Sequence, residues 1–204
     1  MEEDLDFEKK VSINDTMEEV IDSTKIVVLL RDFLEIQQRR AQAYSKLKSG
    51  FSDYMTSGGE LAYQKLCSEI TIEFNVCSKK VLEMESLFQS PDYSRVDLAQ
   101  ILRAVQDQEK QKLHLTATIQ LLKKAGPPSE RLVSHENCKF TKPTEHECVN
   151  VKEITEASGT EEAEADAEYD NALNEAIRSV QDAVMAINEH LEEVRYEIAA
   201  LEAE

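Results

Sequence analysis

The sequence predicts an all-α protein, an elongated antiparallel bundle of three to four long helices with heptad patterning. The last forty residues carry apolar side chains at alternating steps of three and four, which places them on one helix face. Three earlier segments repeat this spacing. Only five Gly and four Pro occur, as is typical of proteins built from long helices. No stretch shows the alternation expected of a β-strand.

The first predicted helix begins at Ser23 or Thr24, either of which can cap it, and ends at Gly58-Gly59. Ahead of it, residues 1–22 form an acidic leader that we expect to be disordered. The side chains at steps of three and four lie along one face of this helix, which we call its stripe. This stripe is apolar except at two central positions, which are polar. Its members are Ile26, Leu30, Phe33, Gln37, Arg40, Tyr44, Leu47, Phe51 and Tyr54.

Two further helices are predicted over residues 60–88 and 94–124, separated by Pro91. Ser94 with Asp97 resembles a capping box at the start of the third helix. The second stripe is Tyr63, Leu66, Ile70, Phe74, Cys77, Val81, Met84 and Phe88. The third stripe is Leu98, Leu102, Val105, Leu113, Ile119 and Leu122, with Glu109 and Thr116 interrupting its middle.

Residues 126–165 lose all periodicity and predict a long mobile linker, and residues 166–204 form the closing heptad helix. Its stripe is Leu173, Ile177, Val180, Val184, Ile187, Leu191, Val194, Ile198 and Leu201. The first three helices, within residues 23–125, are joined by short turns and are therefore expected to be antiparallel. The long linker allows the fourth helix to pack on them, so that all four form one domain. The chain is therefore expected to be a monomer, or a homodimer joined through the C-terminal helix.

The net charge of −18 predicts protein partners, because an acidic surface repels phosphate backbones and makes unaided nucleic-acid binding unfavourable. The acidic N-terminus predicts no signal peptide, and no apolar run is long enough to cross a membrane. We therefore expect a nuclear and/or cytoplasmic protein whose four cysteines are reduced.

The predicted linker contains one arrangement that could hold a metal, His135-x2-Cys138 followed by His146-x-Cys148. Two His and two Cys can bind zinc. The pairs are closer together than in zinc modules, and one residue inside the second pair suits a zinc knuckle poorly. The favoured interpretation is four scattered loop residues, and no cofactor is predicted.

Nothing in the sequence indicates an enzyme. No Gly-rich phosphate loop, metalloprotease motif or nucleophile elbow occurs, and His114 and His190 each stand alone on a helix. Cys67 and Cys77 lie on or beside the second stripe as core residues. They are ten positions apart on one helix, about 15 Å at ~1.5 Å per residue, so no disulfide joins them.

The polar, basic interruption in the first helix is the remaining candidate site, formed by Gln37, Arg39, Arg40 and Tyr44. One interpretation is a solvated helix face on which Arg40 extends its guanidinium to water. The other is a docking patch for an acidic partner, or for DNA within a larger assembly.

The same region resembles a known family. RRAQAYSKLKSGF at 39–51 and YMTSG at 54–58 are similar to the "Required for excision 1-B" domain family, and so are the run around Phe74, VLEME at 81–85 and the closing segment 187–196. The resemblance covers roughly residues 26–125 and 172–198. It implies a role in DNA repair, in the excision of damaged nucleotides, without enzymatic activity or assigned functional residues.

Together these observations predict a non-catalytic accessory protein of DNA repair that acts through protein–protein contacts of its helical surfaces. The alternative is a helical adaptor or assembly subunit with no direct role in repair. A zinc-dependent nucleic-acid module would require the linker His and Cys residues to bind metal.

Overall fold

The structure, a computed structural model, describes the backbone of residues 2–130 and 156–203, and the side chains of residues 23–130 and 160–203. Four long helices follow one another: α1 (Glu2–Ser57), α2 (Glu60–Gln89), α3 (Val96–Ala125) and α4 (Glu156–Ala203). A single 3-10 turn (Pro128–Glu130) follows α3. The described residues contain no strand, so the predicted all-α class is confirmed.

Helix α1 begins at Glu2, well before the predicted start at Ser23 or Thr24. Residues 1–22 contain neither Gly nor Pro, so no residue forces the helix to start later. The disorder expected of this leader stays a prediction, since its side chains lie outside the described residues. The other end agrees with the prediction, because Gly58 takes the left-handed conformation with φ +73°.

The α2–α3 turn differs from the prediction. Ser94 does not cap α3: it has φ +51°, and its Oγ donates to the carbonyl of Pro91 at 3.0 Å. Its backbone N–H donates to the carbonyl of Ser90 at 2.9 Å. Helix α3 therefore begins at Val96, and the predicted capping box is wrong because the Ser94 side chain is used inside the turn.

Helix α4 begins at Glu156, earlier than the predicted boundary at 166. The acidic run from Glu161 to Glu164 lacks hydrophobic periodicity, but Glu and Ala are strong helix formers and no Pro interrupts them. Of the predicted linker 126–165, residues 131–155 lie outside the described part of the chain.

The chain divides into two compact units, one of residues 1–111 with 183–204 and one of residues 112–182. The first unit contains the main hydrophobic cluster, in which all four helices take part. Each fully buried Leu or Phe there stabilises the fold by roughly 1.5–3 kcal/mol. Its buried members are Ile26, Val27, Leu30, Phe33, Ile36, Cys77, Val81, Met84, Phe88, Leu98, Ala99, Leu102, Val105, Ile187, Leu191, Val194 and Ile198.

A smaller cluster in the same unit joins α1 and α2 alone, through Ala43, Leu47, Ile70 and Phe74. Gly50 lies beside it in the middle of α1. A Cβ at this position would collide with Cδ2 of Leu66, so glycine leaves room for the Leu66 side chain to pack against α1.

The second unit pairs the C-terminal part of α3 with the N-terminal part of α4. The Tyr169 hydroxyl donates to the carbonyl of Leu122 at 3.2 Å, and the backbone N–H of Ser129 donates to Asp166 at 3.0 Å. Ile119 and Leu122 are half-buried, but Leu113, a predicted inner-face residue, is exposed. Two helices bury a narrower stripe than four, which explains this difference.

Arg95 joins the start of α3 to α4 in the first unit. Its Nη2 lies 2.6 Å from Asp97 Oδ2 and 2.6 Å from Glu197 Oε1. The hydrogen bond from Arg95 is the main cause that lowers the pKa of Asp97 below its ordinary value.

We expect acid to weaken this ion pair. A carboxyl group whose pKa is lower in the folded than in the unfolded protein adds stability at pH values above its unfolded-state pKa, about 3.9 for Asp. This added stability is lost as the pH falls through the folded-state pKa. Wild-type protein should therefore lose more stability below about pH 4 than Asp97→Asn does. Urea unfolding at a series of pH values measures this. The exposed variant Asp92→Asn is the control, and identical pH profiles for wild type and Asp97→Asn would contradict the assignment.

Candidate functional site

A layer of polar side chains separates the main cluster from the smaller one along α1. It contains the two polar positions of the α1 stripe and their neighbours on the facing helices. We call it the polar layer, and its members are Gln37, Arg40, Tyr44, Ser78, Gln106 and Glu109. All belong to the first unit.

Arg40 lies at the centre of the polar layer and is only 2% exposed. Its Nη2 donates to Ser78 Oγ at 3.2 Å and to Gln106 Oε1, and its Nη1 donates to Gln37 Oε1 at 3.4 Å. The side chain thus joins α2 and α3 to α1. Burial lowers the pKa of Arg40, and the negative charge of Glu109 acts in the opposite direction.

Tyr44 extends the layer towards the smaller cluster. Its hydroxyl donates to the carbonyl of Glu109 at 3.3 Å, and its ring lies 4.7 Å from that of Phe74, centroid to centroid. Burial, followed by the charge of Glu109, raises the pKa of Tyr44 well above its ordinary value. The phenol therefore stays neutral and serves as a hydrogen-bond donor.

Arg39 lies at the edge of the layer and pairs with Glu73, with Nη2 2.7 Å from Glu73 Oε1. This hydrogen bond raises the pKa of Arg39. The thiol of Cys77 also donates to Glu73 Oε1, at 3.8 Å, and burial raises its pKa. A fully buried thiol of raised pKa is a core residue rather than a nucleophile, as the stripe predicts.

The structure therefore changes the interpretation of the predicted patch. Gln37 and Arg40 are buried, whereas Arg39 and Tyr44 are half-buried, so the four residues do not form a docking surface. Arg40 does not extend to solvent, because Ser78 and Gln106 on the facing helices accept its hydrogen bonds. The signal was present in the sequence: a basic interruption in one stripe and an acidic one, Glu109, in another.

The metal candidates His135, Cys138, His146 and Cys148 lie outside the described residues. Within the described ranges, no group of three or more His, Cys, Asp or Glu could hold a metal ion. His114 is exposed, and His190 is half-buried with Nδ1 3.5 Å from Glu193 Oε1. Across the same ranges, no helix has both the length and the apolarity that a membrane span requires.

An aromatic surface lies next to the α1–α2 turn. Phe51 and Tyr63 are 5.7 Å apart between ring centroids, and Tyr54 stacks on Tyr63 at 5.0 Å. All three rings are half-buried, and beside them Met55 is 48% and Leu61 83% exposed. We call this surface the turn-end patch, formed by Phe51, Tyr54, Met55, Leu61 and Tyr63.

Comparison with known proteins shows which family the first three helices resemble. Residues 28–123 match the model of the DNA repair REX1-B family. The match lies on α1, α2 and α3. The predicted resemblance is thereby confirmed.

Two relatives carry the name "Required for excision 1-B domain-containing protein". The one from Mus musculus is 31% identical over 106 residues, which is 50% of this chain and 60% of the relative. The one from Bos taurus is 30% identical over 97 residues, 46% of this chain and 53% of the relative. The chain thus spans less than two thirds of either relative. No solved structure matches it.

The REX1-B match includes both the polar layer and the turn-end patch, since all their residues fall between positions 28 and 123. It ends before α4. The predicted likeness of residues 172–198 to the closing helix of the family stays a prediction.

Proposed function

We propose that this chain is a non-catalytic accessory protein of DNA repair, serving the nucleotide excision of damaged DNA through protein–protein contacts of its helical surfaces. The REX1-B match over residues 28–123 carries the proposal, because it links three of the four helices that build the described core to a repair family. Such a role would place the protein in the nucleus, with the cytoplasm as a second location.

The non-catalytic part of the proposal is supported by how the buried charged groups are used. Arg40 and Glu109 belong to the polar layer, and the carboxylate of Glu85 lies 3.1 Å from Arg103 Nε. These groups connect helices to one another.

A monomeric state is favoured over a homodimer formed through the C-terminal helix. Ile187, Leu191, Val194 and Ile198 of α4 are buried against the chain's own helices in the main cluster. This part of the α4 stripe is therefore already covered, and the remaining α4 surface would have to form any dimer.

The proposed function predicts a defect in lesion removal. Cells in which the gene is deleted should retain ultraviolet photoproducts longer than the parent cells, and expression of the wild-type chain should restore the normal rate. Lesions are followed by immunodetection at intervals after a single dose. The exposed variant Arg31→Ala should restore removal fully, which controls for expression level. Normal removal in the deleted cells would refute the repair role and favour a helical adaptor without one.

A further inference from the structure

Helix α2 has a second regular pattern, on the side opposite to its buried stripe. Positions 65, 69, 72, 76, 79 and 83 follow steps of four and three, so they lie along one face of the helix. All six side chains are exposed. Leu61 and Leu87 flank this series at its two ends, and they are 83% and 42% exposed. We call these residues the outer face of α2, formed by Leu61, Lys65, Glu69, Ile72, Val76, Lys79, Glu83 and Leu87.

The outer face is self-complementary about its centre. Position 74 is the midpoint, and each member has a counterpart at the same distance on the other side of it. Ile72 and Val76, both apolar, are counterparts next to the midpoint. Each lysine has a glutamate as its counterpart, and one leucine has the other: the pairs are Glu69 with Lys79, Lys65 with Glu83, and Leu61 with Leu87. Such a face matches itself on a second copy that runs in the opposite direction, as an isologous interface requires.

We propose that the outer face of α2 binds the same face of a second copy of this chain, antiparallel and with the twofold axis at position 74. Its spacing is that of a coiled-coil seam, in which the side chains of two helices interlock. Ile72 and Val76 then form the centre, repeated on each side of the axis, and every lysine faces a glutamate. Lys65 Nζ also lies 4.0 Å from Glu69 Oε1 on its own helix, so the charges alternate both along each helix and between the two helices.

The other alignments of two outer faces bring unfavourable pairs together. A parallel pair would place Lys65 against Lys65 and Glu69 against Glu69, and like charges repel. Sliding the antiparallel pair by one heptad in either direction would place Ile72 against Glu83 or against Glu69, so that apolar side chains face charged ones. The order of residues on α2 therefore selects one antiparallel alignment.

The charge of α2 favours a second copy over other occupants of this face. The exposed charged residues of α2 are three glutamates and three lysines, so the helix offers no net positive charge to the phosphates of a nucleic acid. A different protein would need the same kinds of residue in reversed order. A second copy supplies that order by symmetry.

The net charge of −18 lies mostly outside α2. Residues 1–23 hold nine acidic and two basic side chains, and residues 150–170 hold eight acidic and one basic, so each segment carries −7. At physiological ionic strength, exposed charges more than about 8 Å apart are largely screened. The acidic segments therefore oppose the dimer only where they come within that distance of the second copy.

The contact is small, so the dimer is weak. Residues 61–87 span about 39 Å at ~1.5 Å per residue, and a helix is ~10 Å wide, which gives about 400 Å² per copy. A standard interface buries about 800 Å² per partner. We therefore expect a dissociation constant on the order of tens of micromolar, with the charge pairs selecting the alignment more than adding affinity. This dimer leaves α4 in its own bundle, so it differs from one joined through the C-terminal helix, and it does not depend on the proposed repair role.

Sedimentation equilibrium of the full chain tests this self-association. The average mass of the wild type should rise from 23.2 kDa towards twice that value as the concentration increases. Lys65→Glu and Glu83→Lys each place like charges opposite each other at both symmetric contacts, and each should weaken association about tenfold or more. Lys48→Glu, an equal charge reversal at an exposed site on α1, is the matched control and should associate as wild type does.

Mixing the two single variants tests the antiparallel alignment itself. In a pair of one Lys65→Glu chain and one Glu83→Lys chain, both contacts between positions 65 and 83 again join opposite charges. Fluorescence anisotropy of labelled Lys65→Glu should therefore show binding to Glu83→Lys with near wild-type affinity, and much weaker binding to unlabelled Lys65→Glu. Circular dichroism checks that both variants melt as wild type does.

Each of three results would overturn the proposal. A wild type that stays monomeric at about 0.5 mM, more than ten times the expected dissociation constant, would leave the outer face to water or to another partner. Self-association that survives both single reversals would place the dimer on another surface. Single variants that do not bind each other when mixed would exclude the antiparallel alignment.

Discussion

Replacing Arg40 by alanine should lower the free energy of unfolding by about 3–5 kcal/mol, because it removes a fully buried cation that hydrogen-bonds to side chains of three helices. The variant would remove the positive charge that acts on buried Glu109, and it would leave Ser78 and Gln106 without the guanidinium that they bind. Urea unfolding followed by circular dichroism measures the change. Arg31→Ala, which removes an exposed ion pair with Glu202, should cost no more than about 1 kcal/mol.

A double variant separates the effect of the charge left on Glu109 from that of the lost Arg40 hydrogen bonds. In the double variant Arg40→Met, Glu109→Leu, both charges are replaced by apolar groups of similar size, and most of the lost stability should return. If Arg40→Ala costs no more than Arg31→Ala, the polar layer does not exist in solution. If the double variant is as unstable as Arg40→Ala, the lost stability belongs to the hydrogen bonds of Arg40 with Gln37, Ser78 and Gln106 rather than to the charge of Glu109.

Replacing Val194 by aspartate should prevent cooperative folding of the first unit. Val194 is 0% exposed and belongs to the main cluster, so the substitution buries a carboxylate among apolar side chains. We expect a loss above about 4 kcal/mol, a large fraction of the stability of a typical domain. Thermal unfolding followed by circular dichroism is the measurement.

Tyr196→Asp is the matched control for that substitution. It introduces the same charge on the same helix two positions away, but Tyr196 is 75% exposed. Its melting temperature should stay within a few degrees of wild type. Equal melting temperatures for the two variants would show that the C-terminal part of α4 does not pack in the main cluster.

The features best predicted from the sequence are those that depend on helical periodicity, namely which face of each helix is buried. Along α2, the residues from Ile70 to Phe88 on the predicted stripe are buried, and from Ile187 onward the α4 stripe lies in the core. Spacing of three and four fixes which face of a helix is apolar, and a long apolar face needs burial. The existence and order of the helices follow from the same signal.

What the sequence did not predict depends on which helices face one another. Arg40 and Glu109 each interrupt an apolar stripe, and alone each resembles a solvated position. They become partners only through the register of α1 against α3, which helical periodicity does not specify. Ser94 was misassigned for a related reason, because its hydroxyl can cap a helix or bond within a turn, and the geometry of the turn decides.

The polar layer also has a consequence for how the chain reaches its fold. Long helices with repetitive apolar faces can pack in several alignments that differ by one turn, about 5.4 Å. A slip of α1 by one turn towards the main cluster would leave the guanidinium of Arg40 among Leu and Val side chains, without the oxygen atoms of Ser78 and Gln106. The buried Arg40 therefore favours one alignment of the helices, because every alignment shifted by a turn leaves its guanidinium without hydrogen-bond acceptors.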